Sequence, residues 1–156
     1  MIDSTPSAGV ANAERFERIG ITADAQNAAR TREQFTDWLH RFFELDPVRA
    51  SDVVLALNEA LANSAEFAYL LATRPGTMDV AARYDADDAR LTVVVSDNGL
   101  WRGTSVDSRT RGRGIPLMRA LSDRATIETS SSGTRVCLEW RDVGAARSDT
   151  YRTCEK

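Results

Sequence analysis

The 156-residue chain has only two cysteines and one histidine. Cys137, Cys154 and His40 are too few to ligate a structural zinc ion. A disulfide framework is excluded on the same count, and so little cysteine fits a reducing, cytoplasmic compartment. No run of 18 apolar residues occurs, so the sequence holds no transmembrane helix. Residues 1–13 lack the basic-then-apolar order of a secretory signal. Charge of one sign is also lacking. The 20 basic and 23 acidic residues leave a net charge of −3, without the basic excess that draws a protein to nucleic acid or to a membrane surface. No direct nucleic-acid or membrane contact is therefore expected. Two phosphate-binding strings are missing as well. No Gly-x4-Gly-Lys-Ser/Thr occurs. In Gly112-Arg113-Gly114 the third glycine of a dinucleotide fingerprint is replaced by Leu117.

What is present is an ordinary globular composition, 42% hydrophobic and 28% charged. The length suits one domain, large enough to bury a core without staples. Residues 1–13 and 142–156 show no apolar period and are expected to be flexible ends around a domain of residues 14–141. Phe16, Ile19 and Ile21 predict a short strand. Asp24 is placed to cap the next helix, whose apolar face is Phe35, Trp38, Leu39, Phe42 and Phe43. Asp46-Pro47 is an N-cap followed by proline where its missing N–H costs nothing. The helix it opens is expected to run to about Leu71, with Val53, Val54, Leu57, Leu61, Ala65 and Ala68 as its core stripe.

The period then changes from helical to alternating. Met78, Val80, Ala82 and Tyr84 alternate with partners of the other face, and Leu91 to Val95 is a β-branched run read as a central strand. A Gly- and Arg-rich loop covers residues 98–113, a short helix runs from Ile115 to Leu121, and two strands at about 124–129 and 134–140 meet through the Ser130–Gly133 hairpin. Trp38 and Trp140 fall at core positions, while Cys137 falls on the opposite face from Val136, Leu138 and Trp140. Strands joined by short turns imply an α+β two-layer sandwich, a mostly antiparallel sheet with helices on one face.

Three local features carry chemistry. Glu59 and Asn63 lie four residues apart on the long helix and share a face. A carboxylate and a carboxamide at that spacing suit a hydrated Mg²⁺, and the carboxylate also suits a general base. By itself the pair equally fits a solvated helix face. Ser96-Asp97-Asn98-Gly99 ends the apolar strand, where an acid and a glycine let the chain turn and a ligand approach, although a plain turn has the same letters. Arg111-Gly112-Arg113-Gly114 opens a helix, where glycine amides and the helix dipole favour an anion, and Arg102 and Arg109 add charge nearby.

Taken together and in this order, the features resemble the GHKL, or Bergerat-fold, ATP-binding superfamily, and within it the small anti-sigma-factor serine kinases of bacteria. The Glu-Ala-x-x-Asn motif is matched by Glu59 to Asn63, the Asp-x-Gly box by Asp97 to Gly99, the Gly-x-Gly-Leu/Ile-x-Leu box by Gly112 to Leu117, its Met-x-x-Leu-x-Asp continuation by Met118 to Asp123, and the late Gly-Thr by Gly133-Thr134. The resemblance covers about residues 14–141.

It implies ATP and Mg²⁺ as ligands. Asn63 would bind the metal and Glu59 would activate the attacking hydroxyl. Asp97 would contact adenine, Gly99 would give the base room, and Thr134 would support the adenine end. Gly112 and Gly114 would cradle the phosphates beneath a lid from Leu100 to Arg111. Arg111 and Arg113 are candidates for the γ-phosphate from charge and position alone. The implied activity is transfer of the γ-phosphate to a serine of a STAS-domain antagonist, alternating with capture of a sigma factor, in a protein that forms a homodimer. Three departures accompany the match: Phe67 stands where many relatives have histidine, Trp101 where the first box often has a second glycine, and the lid is short. The other readings are an ATP-binding module that regulates its partner without phosphotransfer, and a histidine kinase catalytic domain.

Overall fold

The computed structural model of the chain describes residues 9–66, 76–99 and 114–146. Eight strands and three helices occur among them: β1 (Gly9–Asn12), β2 (Arg15–Thr22), α1 (Ala25–Phe42), β3 (Phe43–Glu44), α2 (Pro47–Glu66), β4 (Thr77–Asp85), β5 (Arg90–Asp97), α3 (Gly114–Leu121), β6 (Arg124–Ser130), β7 (Gly133–Trp140) and β8 (Gly144–Ala145). Six strands form one sheet in the order β1-β2-β4-β5-β7-β6, and every neighbouring pair is antiparallel. β5 and β6 therefore run parallel, with β7 inserted between them and α3 on the connection. This is the expected α+β two-layer sandwich.

Alternation sets the two faces of the sheet. Met78, Val80 and Ala82 on β4, Leu91, Val93 and Val95 on β5, and Val136, Leu138 and Trp140 on β7 are all buried beneath the helices. The registers Val80↔Val95 and Val95↔Val136 stack these side chains across three strands. Removing the buried atoms of one such Leu side chain costs about 2–5 kcal/mol.

The helices begin where their caps predict. The Asp24 carboxylate accepts from the Asn27 N–H at 2.7 Å, and that of Asp46 from the Arg49 N–H at 2.8 Å. α1 buries Phe35, Trp38 and Leu39. α2 buries Ala50, Val53, Ala56, Leu57, Ala60 and Leu61, so small residues on one side let it lie close to its neighbours. It packs between α1 and α3 and touches the central strand β5. α3 buries Met118, and the Trp140 indole donates to the Leu121 carbonyl at 2.8 Å, tying that helix to β7. Among the described residues no helix is long and apolar enough to cross a membrane.

Three boundaries differ from the sequence-based expectation. Residues 9–12, expected to belong to a flexible end, form the edge strand β1, held by pairing with β2 and by the Trp38 indole donating to the Asn12 carbonyl at 2.6 Å. Residues 143–146, expected to begin the tail, return to the body of the domain. Val143 is fully buried, the Tyr84 hydroxyl donates to its carbonyl at 2.6 Å, and β8 pairs with β3. Phe43, read as part of the α1 face, lies beyond the helix in extended backbone and joins Trp38 and Tyr84 in ring contacts. The expected continuation of α2 from residue 67 to 71 lies outside the described residues.

Candidate functional site

The C-terminal half of α2 meets the end of β5, and three segments converge there. Glu59, Asn63 and Ser64 come from α2, Asp97 and Gly99 from the β5 end, and Gly133 and Thr134 from the start of β7. Asn63, Asp97 and Thr134 are polar yet only 7%, 7% and 4% exposed, and Ser64 is 1% exposed. Elsewhere the buried core is almost wholly apolar, with Thr31 as the remaining buried polar residue among those described. So many buried polar groups in one place signal a ligand more than a packing solution.

Asp97 is the centre of the cluster. The Ser64 hydroxyl donates to its Oδ2 at 2.7 Å, and the Gly99 N–H donates to its Oδ1 at 3.0 Å. Both oxygens are thus held by donors, which keeps the carboxylate an acceptor in a fixed plane. Across the sheet Asp97 pairs in register with Met78 on β4 and with Thr134 on β7. The hairpin beside it demands glycine. Gly133 has φ +140°, and a Cβ there would lie 1.9 Å from the Asp97 carbonyl oxygen. Any side chain would push the β7 start away from the β5 end.

Glu59 and Asn63 do share a face of α2, as their spacing predicts. Glu59 is half-buried. The Asn63 carboxamide, although buried, has no hydrogen-bond partner among the described residues. A buried amide left so costs about 1–3 kcal/mol. An oxygen-seeking cation carrying its own waters and phosphate ligands would satisfy its oxygen, and those waters or phosphates its N–H groups. The described residues contain no cluster of three His, Cys, Asp or Glu able to hold a metal ion. A cation here would take one or two protein oxygens and complete its shell from a polyphosphate, as Mg²⁺ does.

Of the remaining expected site residues, Gly114 opens α3, which packs against α2. Arg111, Gly112, Arg113, the lid and the two departures Phe67 and Trp101 lie outside the described residues. Ser64 escaped the sequence analysis. Its signal was its place: it stands three residues after Leu61 and seven after Leu57, on the buried stripe of α2. A polar residue there needs a partner.

Residues 21–140 match the family model of the histidine kinase-like ATPase domain. The chain belongs to that family. This GHKL assignment accounts for the convergence just described, because an ATPase domain of this kind implies an ATP site. A solved structure, the RsbU and RsbW domains of Rv1364c from Mycobacterium tuberculosis, is similar to this GHKL domain with a TM-score of 0.66 and 26% sequence identity. The similarity covers 85% of this chain and 34% of that one, so the chain spans about a third of that structure.

Proposed function

We propose that this GHKL domain is an anti-sigma factor with ATP-dependent serine kinase activity, acting on a STAS-domain antagonist and sequestering a sigma factor in the cytoplasm as a homodimer. The observation that carries the nucleotide part is the buried Asp97 carboxylate held by Ser64 and Gly99, with the carboxamide of the adjoining α2 residue Asn63 buried and without a hydrogen-bond partner among the described residues. The kinase and partner parts rest on the motif resemblance to anti-sigma-factor serine kinases, and on the likeness to a structure that contains an RsbW domain.

In this reading Asp97 accepts a hydrogen bond from the exocyclic amine of adenine, Gly99 leaves room for the ring, and the Thr134 hydroxyl supports the same end. The Asn63 carboxamide oxygen would hold Mg²⁺, which would supply positive charge to the phosphates. Gly114 opens α3, and Gly112 and Gly114 would offer backbone N–H groups to the phosphates. Arg111 and Arg113 bring charge to the γ-phosphate. Glu59 takes the proton of the attacking serine hydroxyl. Phosphoryl transfer is mostly positioning and charge stabilisation, so this short set of groups suffices.

The test is transfer of the γ-phosphate of labelled ATP to STAS proteins, with Glu59→Gln beside the wild type. Incorporation on a serine that Glu59→Gln reduces by about 10²-fold or more supports the reading. Nucleotide binding without transfer to any STAS protein would overturn the kinase part and leave a regulatory ATP-binding module.

A further inference from the structure

We infer that Ser64 is a positioning residue that sets the purine preference of the nucleotide site, by fixing the Asp97 carboxylate as a hydrogen-bond acceptor. The inference rests on the ATP-site reading above and adds to it a residue that the motif resemblance does not assign.

Three observations carry it. First, a serine hydroxyl inside a helix commonly turns back to the carbonyl four residues earlier. Ser64 instead donates across to β5, to Asp97 Oδ2 at 2.7 Å. Second, the bond is out of reach of water: Ser64 is 1% and Asp97 7% exposed. A hydroxyl-to-carboxylate bond in such surroundings is stronger than its solvent-exposed counterpart. Third, the other oxygen is held from the opposite side by the Gly99 N–H at 3.0 Å. Each donor restricts the χ2 torsion, which is broad for Asp. Two donors, one on each oxygen, fix its plane.

That fixed plane has a chemical consequence. A carboxylate whose oxygens already accept from Ser64 and Gly99 offers only acceptor positions to a ligand. It suits the 6-amino group of adenine and repels the 6-oxo group of hypoxanthine, two acceptors facing each other. Without the Ser64 hydroxyl, Oδ2 loses that donor and the carboxylate is held less firmly in the plane that meets the 6-amino group. The 6-amino group then loses a well-aligned acceptor, whereas the 6-oxo group, repelled by the carboxylate oxygens in either orientation, is little affected. Ser64 therefore acts on selectivity through Asp97 without touching the base itself.

The experiment compares ADP with inosine diphosphate by calorimetry, both with Mg²⁺, on the wild type, Ser64→Ala, Ser64→Thr, Asp97→Asn and the double variant. Melting temperatures are recorded without ligand. The expected result is a wild type that prefers ADP. Ser64→Ala should weaken ADP about tenfold with little change for inosine diphosphate, so that the preference falls by a similar factor. Ser64→Thr retains the hydroxyl and should recover much of the preference. In the Asp97→Asn background Ser64→Ala should have no further effect on the ratio, because the group it orients is gone. Equal weakening of both nucleotides by Ser64→Ala, or a lower melting temperature with an unchanged ratio, would overturn the inference and make Ser64 a packing residue. A wild type that binds neither nucleotide would overturn the ATP-site reading itself and this inference with it.

Discussion

The two ends of the helix layer are built on opposite plans. At one end Phe16, Phe35, Trp38, Phe43 and Tyr84 form a chain of ring contacts, with centroids 4.7–5.7 Å apart. At the other, α2, β5 and β7 meet through buried polar groups, with Ser64, Asp97 and Thr134 in place of rings. Dispersion and burial in the aromatic end are spread over many atoms, so the loss of a whole ring is costly but no single direction or polar bond is at stake. The polar end depends on a few directional bonds, each of which costs free energy when broken. Stability and ligand recognition are therefore separable in this domain, and substitutions at the two ends should produce different responses.

The largest effect is expected at the aromatic end. Phe35→Ala should lower stability by about 3–5 kcal/mol, measured by denaturant unfolding. The variant that remains folded should keep its full ADP-induced rise in melting temperature. Loss of that rise would show that the two ends are coupled. Gly133→Ala comes next and acts at the polar end. The overlap with the Asp97 carbonyl and the strained φ should cost about 3 kcal/mol, roughly 10 °C in melting temperature, and abolish nucleotide binding as well. A Gly133→Ala protein that binds ADP normally would break the proposed geometry of the site.

Asp97→Asn sharpens the contrast. A ligand at 100 times its dissociation constant stabilises by about 2.7 kcal/mol, and this increment should shrink strongly in the variant while the unliganded protein changes much less. Asp46→Ala touches neither end. It removes the α2 cap and should cost about 1 kcal/mol with no change in nucleotide affinity.

The smallest effect concerns Cys137, on the sheet face away from the helices. Burial pushes its thiol above the ordinary range, with Glu139 adding to the shift. The folded protein thus holds the proton longer than the unfolded chain does. The small stabilisation this brings is full below the ordinary thiol range and is lost as pH rises through the folded-state value. Thiol labelling of the folded protein at neutral pH should accordingly be slower than in denaturant.

The sheet was legible because burial on one face writes period two into the sequence. Met78, Val80 and Ala82, and Leu91, Val93 and Val95, needed no further information. The caps Asp24 and Asp46 were equally plain, since side-chain capping is local chemistry. β1 and β8 were not legible. β1 has four residues and β8 has two, too short for any period, and both are held by distant partners such as Trp38 and Tyr84. At the candidate site the motif order pointed to Asn63 within α2, Asp97 at the end of β5 and Thr134 at the start of β7. Ser64 was missed because its meaning lies in a partner 33 residues away, and no local pattern reports a bond of that span.

The insertion of β7 between β5 and β6 has a consequence for synthesis. Asp97 faces Thr134, at the start of β7, so the two meet only after α3 and β6 have been made and β7 has paired with β5. On a ribosome, α2 and β5 emerge much earlier, with the Asp97 carboxylate present but its pocket open on one side. Nucleotide capture by the nascent chain should thus switch on late and abruptly, once residues near 140 have cleared the exit tunnel. ADP retention on stalled chains of increasing length would then serve as a clock for completion of the sheet.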